Sequence, residues 1–404
     1  MTPKREWGAR GVGGLVEAKH FGRRFGRWTN MALLAMCLIA FPIAAPVFAV
    51  EPGVRIGGTV DLTYLTTRSK DSAPIPNLAV GQYLILIDGR VSDEWRAYGE
   101  IEVEDIPRVT AAGVRGSAGG GDVKINRAYV EYNRSTANNF RFGRWTTPFG
   151  IWKTADWSIL SESLVKPIEV QNSYFGAHLL GVEYFGKQFD VAGMEELEHV
   201  FFADAGARTA NNGSTTDLSD ENGIGGTLQG RRGELMLGAT CAFQNREPKT
   251  NVKRKERMLG FWGEYKGFGR WLNGRPANSG FLDRLMLRSE AFLLRRKNRA
   301  DGTRENDANS WYAAVKYDLS GKTMSFLPED QYLYYRYDRG QDENRSGVDS
   351  TNFSKDRKVA VHTLTWGMDP HPNVRVKLEL SRLNFDDPKI DDYVQYGASI
   401  GIQF

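Results

Sequence analysis

The residues best placed to do chemistry in this 404-residue chain are charged ones that recur at every second position. In QYLILIDGRV (82–91), Gln82, Asp88 and Arg90 share one face, while Tyr83, Ile85, Ile87 and Val91 share the other. In EWRAYGEIEVE (94–104), Arg96, Tyr98, Glu100, Glu102 and Glu104 oppose Trp95, Ala97, Ile101 and Val103. In NVRVKLELS (373–381), Arg375, Lys377, Glu379 and Ser381 oppose Val374, Val376, Leu378 and Leu380. Charges spaced in this way line a wet surface, and along a channel they attract, repel or order ions and small solutes. The candidate pore-lining cations are Arg90, Arg96, Arg127, Arg141, Arg288, Arg336, Arg375 and Lys377. The matching anions are Asp88, Glu100, Glu102, Glu104, Glu131, Glu290, Asp338 and Glu379. Cross-strand pairing of the two sets explains them equally well, so anion preference, cation preference and selection of dipolar solutes all stay open.

Other chemistries find no support in the spacing. His178, His199, His362 and His371 are scattered without metal-ligand spacing, no G-x-S-x-G motif occurs, and no metal or other cofactor is expected. The glycines of GIGGTLQG (223–230) lack the strand-loop-helix setting of a phosphate cradle and suit close packing instead. Cys241, between Ala239-Thr240 and Ala242, is expected to be a small strand residue.

A period of two with a charge at alternate positions means a strand with one wet face, since a buried parallel strand is apolar on both. About sixteen such segments are long enough to cross a bilayer at a tilt. They lie near 54–65, 80–91, 94–104, 122–133, 139–146, 175–185, 188–203, 223–230, 234–245, 257–266, 281–296, 309–318, 330–340, 357–367, 373–384 and 392–404. The connections tend to alternate long and short. Ser92-Asp93, Arg134 to Asn138, Gly186-Lys187 and Arg231 to Gly233 are short, whereas the insertions at 267–280 and 319–329 break the rule. Trp95, Trp145, Trp262, Trp311, Tyr317 and Trp366 stand near strand ends, as interfacial girdles require. The last strand, DYVQYGASIGIQF, keeps its period to the final residue, and Tyr396 and Phe404 on its apolar face are the candidate insertion signal.

The fold expected is therefore all-β: a transmembrane antiparallel β-barrel of about sixteen strands, with the strand near Val54 paired to the one ending at Phe404. Residues 1–30 carry Lys4, Arg5, Arg10, Lys19, Arg23, Arg24 and Arg27, and an apolar stretch runs from Met31 to Ala49, ending in Val47-Phe48-Ala49. That pattern predicts a signal peptide over 1–49 and a single barrel domain over 50–404. Its removal takes Lys+Arg from 53 to 46 and Asp+Glu from 49 to 47, a near-neutral balance with no footprint for nucleic acid. The basic run REPKTNVKRKER (Arg246 to Arg257) is expected in an outside loop, either solvated or facing lipopolysaccharide phosphates.

The longest unpatterned stretch, residues 146–176, is the third outside loop by this count and is too apolar for a simple exposed one. Ile151, Trp152, Trp157, Ile159, Leu160, Leu164 and Val165 need a surface to pack on, which an inward fold against the barrel wall supplies. Lys153, Asp156, Glu162, Lys166 and Glu169 are then the charged members of a pore constriction loop; a surface lid or a subunit contact is the other reading.

The runs RFGRWTTPFG (141–150) and SESLVKP (161–167), with the signal segment and the terminal Phe404, resemble Gram-negative outer-membrane porins, nearest the phosphate-selective-porin-like sixteen-stranded group. The resemblance implies a homotrimer in the bacterial outer membrane, an inward third loop, and passive diffusion of small hydrophilic solutes or ions without a cofactor. It also implies contact with outer-membrane lipid and with the barrel-insertion machinery. A clear arginine ladder and lysine cluster for phosphate are not found, because acids stand beside the bases. A porin is not an enzyme. The competing expectations are a barrel enzyme of lipase or protease type, a structural sheath around a partner, and, more remotely, a soluble secreted β-protein.

Overall fold

The computed structural model describes residues 53–404 apart from 70–74, 105–107, 111–112, 116–121, 155–156, 158, 172–177, 207–221, 247–253, 268–280, 299–306, 320–329, 342–357 and 387–390. The expected signal segment and Asp156 lie outside the described residues, as does most of the 246–257 run.

The strands in chain order are β1 (Gly53–Ser69), β2 (Ile75–Arg90), β3 (Trp95–Glu104), β4 (Arg108–Thr110), β5 (Gly113–Arg115), β6 (Asp122–Asn133), β7 (Asn139–Thr146), β8 (His178–Val191) and β9 (Met194–Asp204). There follow β10 (Asn222–Arg232), β11 (Leu235–Arg246), β12 (Arg254–Lys266), β13 (Leu285–Asn298), β14 (Ala308–Asp318), β15 (Gln331–Gln341), β16 (Lys358–His371), β17 (Val374–Phe385) and β18 (Tyr393–Gln403). Strands β4 and β5 form a short hairpin that touches β2 through Asn77 and Leu78. The other sixteen pair antiparallel, each with its neighbours. The expected seam is present: Thr59 through Ser69 register against Gln403 through Tyr393, so the sheet closes on itself. Two short helices, α1 (Gly150–Thr154) and α2 (Ile168–Gln171), lie between β7 and β8.

The two faces invert the rule for a water-soluble protein. Leu259, Phe261, Leu293, Leu333, Leu364, Leu378 and Leu380 are exposed, whereas Glu290, Arg336, Asp338, Thr363, Thr365, Lys377, Glu379 and Ser381 are buried. An exposed apolar face on a closed sheet suits hydrocarbon, and alternation along each strand then sends polar side chains to the other side. No described helix is long and apolar enough to cross a membrane.

Three local expectations need correction. The turn placed at Gly186-Lys187 falls instead after Val191, where Ala192 (φ 54°) and Gly193 (φ 76°) take the left-handed backbone of a tight hairpin. Gly186 stays within β8 because the backbone of Ala137 lies directly on it, with no room for a Cβ. Trp145 and Trp262 are not girdle residues; they are 2% and 5% exposed and sit on the buried face. Gly238 leaves space for the Trp262 indole, whose Nε1 donates to Gln229 Oε1 at 2.9 Å. Finally, the basic run is not all loop: Arg254 to Arg257 opens β12.

Candidate functional site

The described residues between β7 and β8 are held by an extended set of side-chain contacts. It starts where Thr147 and Phe149 are buried, and Phe149 packs with Phe202 at a ring distance of 5.7 Å. Phe149 also joins a cluster that includes Trp145, Leu179, Phe292 and Ile168. The carbonyl of Pro148 accepts a hydrogen bond from Thr227 Oγ1 of β10 at 2.9 Å. Gly150 then takes φ +74°, and the Glu290 carboxylate occupies the space that a Cβ would need. Only glycine meets both demands cheaply.

From there the segment binds charged side chains of β13, β15 and β17. Glu290 accepts the Trp152 amide at 3.0 Å and the Tyr312 hydroxyl at 2.5 Å. Glu379 accepts the amides of Leu164 and Val165 at 2.6 and 2.9 Å, and the Thr365 hydroxyl at 2.9 Å. Carboxylates therefore satisfy backbone donors that an irregular chain leaves without partners, the stronger, charge-assisted kind of bond.

Cations on the same strands grip the same segment. Arg288 reaches both oxygens of Glu162, at 2.8 and 3.2 Å, and donates to Glu264 at 2.8 Å. Arg336 donates to Asp338 (2.8 Å), Ser163 Oγ (2.7 Å) and the Val165 carbonyl (2.8 Å), and lies over the Trp152 ring at 5.5 Å. Lys377 Nζ lies 3.3 Å from Ser161 Oγ and 3.4 Å from the Ser163 carbonyl. The Tyr332 hydroxyl donates to the Glu162 carbonyl at 3.1 Å. Trp152 packs with Tyr312, Tyr332 and Tyr334 beneath this network.

The expected site residues thus divide into groups. Glu162, Arg288, Arg336 and Lys377 meet at the segment, and Lys153 is buried within it. Lys166 is half-buried, and the side chain of Glu169, on α2, lies outside what is described. Arg375 is close by, clamped on Asp369 by two bonds of 2.7 Å. The remaining cations belong to the wall formed by β2, β3, β6 and β7. There Arg96 pairs with Asp88 (2.6 Å), Arg127 with Glu100 (3.2 Å), and Arg141 with Glu131 (3.0 Å) and Glu183. Arg90 is exposed at the end of β2 and pairs with Asp93 at 2.8 Å. Glu102 differs: it is half-buried, accepts from the amides of Asn126 at 2.5 Å and Gln82 at 3.2 Å, and stands opposite Lys124 in the β3–β6 register without an ion pair among the described residues. Tyr396 and Phe404 are exposed on the apolar face, 42% and 60%.

Sequence reasoning missed Ser161, Ser163, Glu264, Tyr312, Tyr332 and Thr365. Only the tyrosines carried a signal, as rings set among alternating charges.

No family model matches the chain. An uncharacterised protein of Aquifex aeolicus is 23% identical over 383 residues, covering 90% of this chain and 83% of that protein. The anion-selective porin of Comamonas acidovorans superposes with a TM-score of 0.57 at 14% identity, covering 87% of this chain and 99% of that one. The trimer form of OmpT, an outer-membrane protein of Vibrio cholerae, gives a TM-score of 0.52 at 13% identity, covering 88% and 100%. The chain has the sixteen-strand fold of bacterial outer-membrane porins.

Proposed function

We propose that the protein is a general diffusion channel of the bacterial outer membrane, in which the 147–171 segment folds into the barrel and narrows it. The observation that carries this reading is the set of bonds from Trp152, Leu164, Val165, Glu162 and Ser163 to the buried face of β13, β15 and β17. On a closed barrel the face opposite the exposed apolar one is the inner face, so a segment bound there occupies the bore. Irregular backbone is tolerated at membrane depth only where protein or a water cavity surrounds it.

In this arrangement Arg288, Arg336 and Lys377 anchor the loop, while the wall carrying Asp88, Arg96, Glu100, Glu102, Arg127, Glu131 and Arg141 stays beside the open path. Transport is passive and needs no cofactor; small hydrophilic solutes or ions pass down their gradients. Since the described inner face of this wall sets Asp88, Glu100, Glu102, Glu131 and Glu183 against Arg96, Lys124, Arg127 and Arg141, the channel prefers cations weakly. A homotrimer is part of the proposal, supported by the neighbour solved in a trimer form. Residues 1–49 act as the export signal, and Tyr396 and Phe404 form the part of the last strand offered to the insertion machinery.

Single-channel recording in a planar bilayer tests the reading. Stable steps in threes support it. Folded, heat-modifiable protein that passes no current overturns it in favour of a barrel enzyme or a filled sheath.

A further inference from the structure

The outward face of the β12–β13 hairpin breaks the pattern of the rest of the barrel. On β12, Lys255 and Arg257 are exposed, and on β13, Arg295 and Lys297 are exposed. Register places them directly against one another: Lys255 faces Lys297, and Arg257 faces Arg295. Like charges opposite one another across an antiparallel pair are destabilising. Adjacent strands stand about 4.8 Å apart and alternate residues about 7 Å apart, so four cations converge on one small patch. Glu256 does not neutralise them. It lies on the buried face and pairs with Arg296 at 3.3 Å. None of the four makes an ion pair among the described residues, although almost every other strand cation discussed above has an acid partner.

What lies along the strands from the patch is equally specific. The next outward residues are Leu259 and Phe261 on β12, Leu293 on β13 and Phe243 on β11, each 47% to 54% exposed. The patch also stands at the end of the strand pair that leads into residues 247–253 and 299–307, away from the end that leads into 267–284. A cation cluster at the rim, continuous with bare apolar surface below, matches one molecule with an anionic head and hydrocarbon tails. An acidic protein loop would match the charges but not the apolar band, and free phosphate would ignore it.

We propose that Lys255, Arg257, Arg295 and Lys297 form a binding site for a phosphorylated lipid headgroup of the outer leaflet, whose acyl chains lie on Phe243, Leu259, Phe261 and Leu293. The bound phosphates relieve the opposed like charges, so the site stabilises the hairpin only when lipid is present. This inference rests on the outer-membrane reading of the barrel but not on ion conduction.

The test uses full-length protein purified from membranes in detergent and exchanged into nanodiscs of zwitterionic lipid. Binding of lipid A carrying both phosphates is titrated against lipid A with its phosphates removed and against inorganic phosphate. The wild type is expected to bind the phosphorylated lipid at least tenfold more tightly than the dephosphorylated form. A variant with K255Q, R257Q, R295Q and K297Q is expected to lose that difference. R339Q, which removes an exposed outward cation already paired with Asp386 at 3.6 Å, is expected to keep it. Equal binding by wild type and the quadruple variant overturns the proposal, as does saturation by inorganic phosphate without discrimination between the two lipids, or a stoichiometric protein partner on the patch. Heat-modifiability confirms that the quadruple variant is folded. Should it not fold, the single changes R257Q and R295Q are read instead, each expected to weaken binding at least threefold. Conductance is recorded in parallel, so a failed channel and a failed lipid site give different results.

Discussion

The guanidinium of Arg336 donates to the hydroxyl of Ser163 at 2.7 Å, although 173 residues separate them in the chain. Arg336 is wholly buried, and so is its ion-pair partner, Asp338. The substitution R336A therefore leaves a buried carboxylate without its counter-charge, a loss of about 3–5 kcal/mol where such pairs have been broken. The folded form in unboiled gels is expected to convert at a clearly lower temperature. Replacing both residues by leucine is expected to restore part of that loss, because no buried charge then remains.

Glu379 holds the segment through its backbone rather than through a side chain. E379A removes the acceptor of two amides, and the loop loosens. Single-channel conductance is expected to rise, with noisier open current. E379Q keeps one acceptor oxygen and is expected to fall between the two. Conductance unchanged in E379A would show that the segment does not restrict the path.

Gly150 carries two demands in one residue, a left-handed backbone and contact with Glu290. G150A is strained by about 1 kcal/mol or more from the backbone alone. Its methyl group also pushes Glu290 away from the Trp152 amide and the Tyr312 hydroxyl. Limited proteolysis is the measurement, with faster cleavage within 147–171 expected and the barrel left intact.

Glu102 adds to the slight excess of acids on the open wall, held by two side-chain amides rather than by an ion pair among the described residues. The reversal potential under a KCl gradient is expected to report weak cation preference in the wild type. E102Q brings it toward zero and E102K reverses its sign, whereas R90Q, which alters an exposed pair near the barrel end, leaves it almost unchanged.

Much of the architecture was legible because a strand with one wet face writes its geometry into alternate residues. Gln331 to Gln341 is an example: Tyr332, Tyr334, Arg336 and Asp338 are buried while Leu333, Tyr335 and Arg339 are exposed. The apolar residues of the 146–176 stretch also announced that it needed a surface: Trp152 and Ile159 are buried, whereas Leu160 is left 48% exposed. The roles of individual charges were not legible. Arg90 and Arg336 look alike in a dyad pattern, yet one is exposed at a strand end and the other is enclosed by the segment. The difference arises from partners more than a hundred residues away, several of them backbone amides that every residue possesses. Gly186 misled for a related reason: a glycine required by a neighbouring backbone looks the same as one required by a turn.

The seam between β1 and β18 sets an order of events. Gly58 N donates to the Phe404 carbonyl at 2.9 Å, and Phe404 N to the Gly58 carbonyl at 3.0 Å, so β1 cannot be completed until β18 has been delivered. A sheet that still lacks β18 therefore carries two unsatisfied strand borders, each a template for pairing with another copy. The pairing of β1 with β18 removes both borders at once, so the same contact that closes the barrel also ends its exposure to other copies.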